Sequence, residues 1–362
     1  MGVDISSIVP KKEISLDDLS GKIIVVDAFN TLYQFLTTIR QPDGTPLMDR
    51  RGNITSHLSG LYYRTLNLLA KGIRPIFVFD GKSPEQKYAE KEKREAAKKE
   101  AELKYAKAME AGEIEEAAKM AKRTAKLTSD MVNDAKKLLD AMGLPYVQAP
   151  SEGEAQAAFM AKRDPNIYAV ASQDYDALLY GAPRLVQNLT LAKKRKTRGG
   201  VVAISPMLIE LQSVLNFLQI DLDRLICLGI IVGTDFNNGV RGLGPKKALK
   251  IVQGFKAPYE IFKYIEKSYD VDFDWKEIFE LFKRPEVKKN FSYDFKPLDK
   301  EKIVELLCHE HDFSEERVLN ALEKLEEGEE EGSEEGEKRE KARGKKEQAR
   351  EKSQESLSKW IT

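Results

Sequence analysis

Three short, almost unbroken apolar runs constrain this chain most: Lys22–Asp27 (KIIVVD), Arg74–Asp80 (RPIFVFD) and Asn166–Ser172 (NIYAVAS). A strand that is apolar on both faces must be covered on both faces. A parallel sheet flanked by helices does this. Helical patterns at Ile54–Ala70, Ser129–Met142 and Glu154–Arg163 lie between the runs. The alternation predicts an α/β fold with a mainly parallel central sheet and right-handed crossovers. Leu185–Leu189 and Gly200–Ile204 are expected to form a late hairpin around the basic segment Lys193–Arg198, with mainly helical structure after Ser205.

Lys+Arg and Asp+Glu each number 59 in 362 residues, so the net charge is zero. This excludes a uniformly basic nucleic-acid coat but leaves local basic surfaces open. Cys227 and Cys308 form no CxxC pair and no disulfide framework, which points to a reducing, intracellular setting. No apolar run approaches a membrane span; Leu225–Gly233, among the longest, is interrupted by Gly229. Asp4 and Glu13 interrupt the start where a signal peptide would need an apolar stretch, and Met1–Ser6 matches the loose myristoylation pattern only formally.

Two segments depart from the globular pattern. Ser83–Leu127 is dominated by Lys, Glu and Ala and divided by Gly112, as expected of a solvated helical hairpin with i,i+4 ion pairs. Glu326–Glu337 contains eight Glu and Lys338–Lys352 eight Lys or Arg, too polar to bury a core. A flexible charged linker over 326–352 is expected, with apolar character returning at Leu357, Trp360 and Ile361.

The strand patterns end at or near Asp27, Asp80, and Asp174 with Asp176. Sites in open α/β sheets form outside the carboxyl ends of the strands, so these acids should converge. Glu152 and Glu154 lie in Pro150–Ala157, where Ser151-x-x-Glu154 also reads as a capping box opening a helix. Asp235, in GTDFNNG, is a seventh candidate. So many carboxylates cannot all ionise in one crevice without cations. All-oxygen ligands favour Mg²⁺ or Mn²⁺, and two such ions suit in-line attack on a phosphodiester. His57, His309 and His311 do not make a zinc site, and His309-Glu310-His311 is expected at the surface.

Gly242-Leu243-Gly244-Pro245-Lys246-Lys247-Ala248 looks like the hairpin of a helix-hairpin-helix, with Pro245 in the first turn of its second helix. The glycines let backbone N–H groups approach a phosphate, and Lys246 and Lys247 add charge. A plain helix-turn-helix packing joint is the alternative.

VVDAFN, VFDGKSPEQK, APSEGEAQA, SQDYDALLYG and GTDFNNGVRGLGPKKA, in this order, resemble the five-prime structure-specific nucleases. With MGVDISSIVP and the C-terminal motif, the resemblance is closest to archaeal flap endonucleases and spans essentially the whole chain. It implies a nuclease domain over 1–325, with a helical arch at about 83–128 that admits a 5′ flap and a helix-hairpin-helix at about 225–256 that grips duplex DNA. It also implies that Asp27, Asp80, Glu152 and Glu154 serve one Mg²⁺, and Asp174, Asp176 and Asp235 another, with Mn²⁺ as a substitute and K⁺ at the hairpin. Lys87 and Arg94 match the family's catalytic lysine and arginine, and Tyr33 a stacking aromatic whose alternative is a core position. Gly2 falls near the family's active site, which displaces the myristoylation reading. Residues 353–362 carry a sliding-clamp motif at Gln354, Leu357, Trp360 and Ile361, with Ile361 where the family has a second aromatic. The implied function is flap endonuclease and 5′–3′ exonuclease action in Okazaki fragment processing and repair, by a monomer in the cytoplasm or nucleoid. An RNA-cleaving nuclease with a similar acidic site is the enzyme alternative; a clamp-tethered DNA-binding module is the non-enzyme one.

Overall fold

The computed structural model describes residues 2–327 except 42, 83, 85–86, 112, 114–115, 117–118, 122–123, 191–193 and 198–199. Its larger sheet has seven strands: β1 (Lys12–Glu13), β2 (Ile23–Asp27), β3 (Arg74–Phe79), β4 (Tyr146–Gln148), β5 (Ile167–Ala171), β6 (Arg184–Gln187) and β9 (Met207–Glu210). Their spatial order is β1-β9-β6-β5-β2-β3-β4. From β6 to β4 the strands are parallel, whereas β9 and β1 add an antiparallel edge.

The apolar runs are buried on both faces, as the sequence predicts. Val25, Ile76, Val78 and Val170 pack on one side with α5 (Gly153–Arg163) and α8 (Leu222–Val232). Ile24, Val26, Phe77 and Phe79 pack on the other with α1 (Ala28–Thr38), α2 (Ser56–Leu69) and α4 (Ser129–Ala141). The chain runs from β2 outward through β3 and β4, then returns to place β5 and β6 on the other side of β2. The carboxyl ends of β2 and β5 therefore flank a topological switch point, where open α/β sheets form crevices.

The expected late hairpin is different. Arg184–Gln187 lies in the main sheet, because Leu185 and Val186 need cover on both faces. Gly200–Ala203 (β8) pairs instead with Lys194–Thr197 (β7), so the basic segment is itself a strand. Met207–Glu210, expected to be helical, is β9 and leads directly into α7 (Leu211–Leu218).

The first half of the polar insertion forms α3 (Tyr88–Glu110). The insertion is not wholly solvated, since Ala101 and Ala108 in this helix and Met120 and Ala121 beyond it are buried. Gly112, its expected divider, lies outside the described residues. His311 is also not at the surface: it is buried with its ring nitrogens 3.8 Å from Asp49 and 3.7 Å from Asp134, because the chain after α12 (Lys300–Val304) folds back over α2 and α4. No helix among the described residues is long and apolar enough to cross a membrane.

Candidate functional site

Asp27 ends β2 and caps α1, its carboxylate accepting the Asn30 N–H at 3.0 Å. Asp80 follows β3 and accepts the N–H of Gly153, the first residue of α5, at 2.6 Å. A Cβ on Gly153 would lie 2.5 Å from Asp80 Oδ1, so only glycine permits this approach. The expected capping box is therefore absent: Glu152, not Ser151, is the N-cap, and no side chain of its own turn caps it. Asp80 meets the free N–H from across the sheet, as the positive end of a helix favours.

Glu154, freed from capping, accepts from Ser172 Oγ at 2.7 Å beyond β5. Ser172 Oγ also accepts the Asp174 N–H at 3.2 Å. Asp174 Oδ2 accepts from Asn30 Nδ2 at 2.9 Å. Asp176 opens α6 (Asp176–Leu179) and accepts the N–H of Val3 at 2.7 Å. Asn30, Ser172 and the Val3 N–H thus align the acids. Their sequence signal is faint: Asn30 stands three residues after Asp27, and Ser172 two before Asp174.

The acids repel one another. Burial, then Asp80 and Asp174, push the Asp27 carboxyl up to about 8. Burial, then Glu152 and Asp235, raise Asp80 to about 6. Burial, then Asp235 and Asp174, raise Asp176 to about 7. Burial, then Asp176, Asp174 and Asp27, hold Glu154 well above the carboxylate range. All seven predicted carboxylates therefore share one electrostatic neighbourhood at the switch point.

A positive charge stands among them. Lys87 Nζ contacts Glu152 and lies 3.3 Å from Asp235. Burial works against the Lys87 charge, but Glu152 and Asp235 outweigh it and raise its pKa. No group of three or more His, Cys, Asp or Glu side chains among the described residues is arranged to hold a metal ion as it stands. The donor set nonetheless suits a hard divalent cation: it is all oxygen, crowded, and has an ammonium where a cation relieves repulsion.

Tyr33 is 39% exposed on α1, with Lys98 Nζ of α3 5.8 Å from its ring centre, which removes the core alternative. Arg94 falls within α3, but its side chain lies outside the described residues. The segment 233–244 joins α8 to α9 (Pro245–Gln253), with Pro245 at the first helical position as predicted. Gly242 has φ +84°, and open space surrounds both Gly242 and Gly244. Lys246 and Lys247 are exposed in the first turn, Lys247 Nζ reaching Gly242 O at 3.2 Å. Gln354, Leu357, Trp360 and Ile361 lie outside the described residues.

The XPG N-terminal domain model matches residues 4–101, and the XPG I-region model residues 143–235. All seven carboxylates fall inside those two stretches. Flap endonuclease 1 of Pyrococcus furiosus is 55% identical over 328 residues, covering 90% of this chain and 95% of the relative. That of Aeropyrum pernix is 50% identical over 332 residues, covering 90% and 94%. The solved structure of flap endonuclease-1 from Methanococcus jannaschii superposes with TM-score 0.70 at 46% identity, covering 90% of this chain and 98% of that one. The catalytic core of Rad2 in complex with DNA substrate shares the fold at TM-score 0.63 and 23% identity, covering 87% and 96%.

Proposed function

Since this chain belongs to the flap endonuclease family, we propose that its structure-specific nuclease action runs through the carboxylate crevice at the switch point of the sheet. The observation that carries this reading is the mutual repulsion of Asp27, Asp80, Glu154 and Asp176, relieved in part by Lys87. In this reading Asp27, Asp80, Glu152 and Glu154 hold one Mg²⁺ and Asp174, Asp176 and Asp235 a second, with Mn²⁺ able to replace either. Bound there, the ions supply activation of the attacking water and neutralisation of phosphate charge.

The chain's own groups do the rest. Asn30, Ser172 and the Val3 N–H keep carboxylate oxygens turned into the crevice. Lys87 exchanges its carboxylate partners for the scissile phosphate, and Arg94 joins it in stabilising charge that develops there. The exposed Tyr33 offers a stacking face to the nucleotide beside the cut. The backbone around Gly242 and Gly244, with Lys246 and Lys247, grips duplex phosphates without reading sequence, and K⁺ is a candidate ligand of that hairpin.

Residues 83–128 form an arch over the crevice for a 5′ flap, within a nuclease domain of 1–325. A linker over 326–352 carries a clamp-binding motif at 353–362. The protein is monomeric when free, works within the cell on replication and repair intermediates, and also trims 5′ ends as an exonuclease. Cleavage of flap, nicked and single-stranded DNA, assayed side by side with Mg²⁺ and with EDTA, tests this. Flap DNA is expected to be cut fastest, and only with Mg²⁺. Equal rates on all three substrates, or cleavage in EDTA, would overturn it.

A further inference from the structure

The loop after α8 presents two side chains to Lys87, Asp235 and Phe236, of which only Asp235 belongs to the carboxylate set. Thr234 and Asn237 close this loop into a hydrogen-bonded turn. Thr234 Oγ1 donates to Asn237 Oδ1 at 2.8 Å, Asn237 Nδ2 donates to Ile230 O at 2.8 Å, and the Phe236 N–H donates to Thr234 Oγ1 at 3.1 Å. Between these anchors stand Asp235 and Phe236. Asp235 lies 3.3 Å from Lys87 Nζ, and the Phe236 ring centre 5.3 Å from the same nitrogen.

The ring is held from behind. Phe236 meets Phe282 edge to face at 5.4 Å, and Phe282 packs on Tyr180 at 4.8 Å. Phe236 also lines a cavity with Glu152 and with Lys82 and Pro84, which lie in the chain that leads from β3 into α3. An aromatic face attracts an ammonium without offering a hydrogen bond, so it fixes a position while leaving the three N–H donors free.

We propose that Phe236 is a positioning residue for Lys87: its ring holds the ammonium at the mouth of the carboxylate crevice, so that the lysine can turn from Glu152 and Asp235 to a phosphate without leaving the site. The same loop runs on to Gly242, Gly244 and Lys246, so the hairpin and the lysine's seat are one continuous segment. This rests on the reading of Lys87 as a catalytic group.

The test is a double-mutant cycle on the full chain under single-turnover conditions on flap DNA. Phe236→Leu keeps an apolar filler and removes the π face. It is expected to lower the cleavage rate about tenfold with unchanged DNA affinity. Phe236→Tyr is expected to restore the rate. In a Lys87→Ala background, Phe236→Leu is expected to change nothing further. A loss that simply adds to that of Lys87→Ala, or a wild-type rate for Phe236→Leu, overturns the proposal. A wild-type rate for Lys87→Ala alone overturns the reading beneath it, and the proposal with it. A second readout is independent of cleavage. After reductive methylation with ¹³C, the Lys87 methyl resonance, assigned by its absence in Lys87→Arg, is expected to be shifted upfield by the ring. It should lose that shift in Phe236→Leu and keep it in Phe236→Tyr. An unshifted Lys87 resonance in the wild-type protein overturns the proposal even if the kinetics agree.

Discussion

Asn30 Nδ2 donates to Asp174 Oδ2 at 2.9 Å, joining helix α1 to the chain beyond β5 across the switch point of the sheet. The backbone N–H of the same asparagine donates to Asp27 at 3.0 Å, so one residue orients carboxylates assigned to two different ions. Partners of this kind are worth about 10–100-fold in metal affinity or activity. Asn30→Ala is therefore expected to raise the Mg²⁺ concentration needed for half-maximal single-turnover cleavage by about tenfold. Asn30→Asp, which adds an eighth negative charge, should cost more. Mg²⁺ titrations of the two variants check this, and an unshifted midpoint in both removes Asn30 from the site.

The carboxylates also predict a pH dependence of stability in metal-free protein. Asp27 and Asp176 keep their protons up to about 8 and about 7, whereas an unfolded aspartate titrates near 4. The folded protein thus binds more protons than the unfolded one, and the stability these groups contribute is lost as pH rises through their folded values. His57, which burial holds down at about 4, works in the opposite direction only below about 6.5. In EDTA, Tm is expected to fall between about pH 6.5 and 8, and saturating Mg²⁺ to flatten the fall by replacing protons with cations. Calorimetry with and without Mg²⁺ measures both slopes.

Neutralising a carboxylate separates stability from chemistry. Asp80→Asn removes one repelling charge from a buried cluster, so in EDTA at pH 8 its Tm is expected to equal or exceed that of wild type. Its cleavage rate in Mg²⁺ should fall below detection while flap DNA still binds. Melting curves, cleavage assays and binding isotherms on one preparation decide the matter. Near-wild-type cleavage by Asp80→Asn would remove it from the ligand set.

Lys246 and Lys247 stand exposed at the start of α9, beside backbone that leaves open space around Gly242 and Gly244. Replacing both lysines with alanine should weaken binding to all duplex sequences alike. The slope of log K against log salt should become shallower by about one unit for each phosphate that is no longer neutralised. Fluorescence anisotropy across a salt series checks it; an unchanged slope, or weaker binding to some sequences only, contradicts a phosphate grip.

Removing residues 353–362 is expected to leave flap cleavage without clamp unchanged and to abolish stimulation by the cognate sliding clamp. The spacing of Leu357 and Trp360 suits an apolar pocket on the clamp, and Ile361 in place of an aromatic predicts moderate affinity that tethering to DNA supplements. Calorimetry with full-length and truncated protein measures it, and equal affinities would refute the assignment.

The parallel sheet was legible because Ile24, Val25 and Val26 are apolar on consecutive positions, which only double cover explains. Six of the carboxylates were legible because they stand at a strand end or at a helix start beside one; Asp235, in the loop after α8, had only its glycine-flanked segment to mark it. The antiparallel edge was not. Met207–Glu210 runs without a break into the apolar positions Leu211, Val214, Leu215 and Leu218, so strand and helix share one apolar stretch. The capping pattern at Ser151 misled because the helix starts one residue later, with Glu152 as N-cap, and Asp80 beyond a distant strand takes the N–H of Gly153, a contact only the fold shows. Asn30 and Phe236 stand close to Asp27 and Asp235 in the chain, but they carry no charge, and nothing in the order of residues shows that they reach Asp174 and Lys87.

The placement of β5 beside β2 has a consequence for the newborn chain. Asp27 and Asp80 are synthesised early, but Asp174 and Asp176 come only with the strand that must slot in on the far side of β2, and Asp235 later still. No early segment carries the full set of acids, and a chain whose second half has not docked holds half a site. On the proposed reading, a polypeptide that ends before β5 is expected to be chemically silent toward nucleic acid, and cutting power to arrive only with the completed sheet.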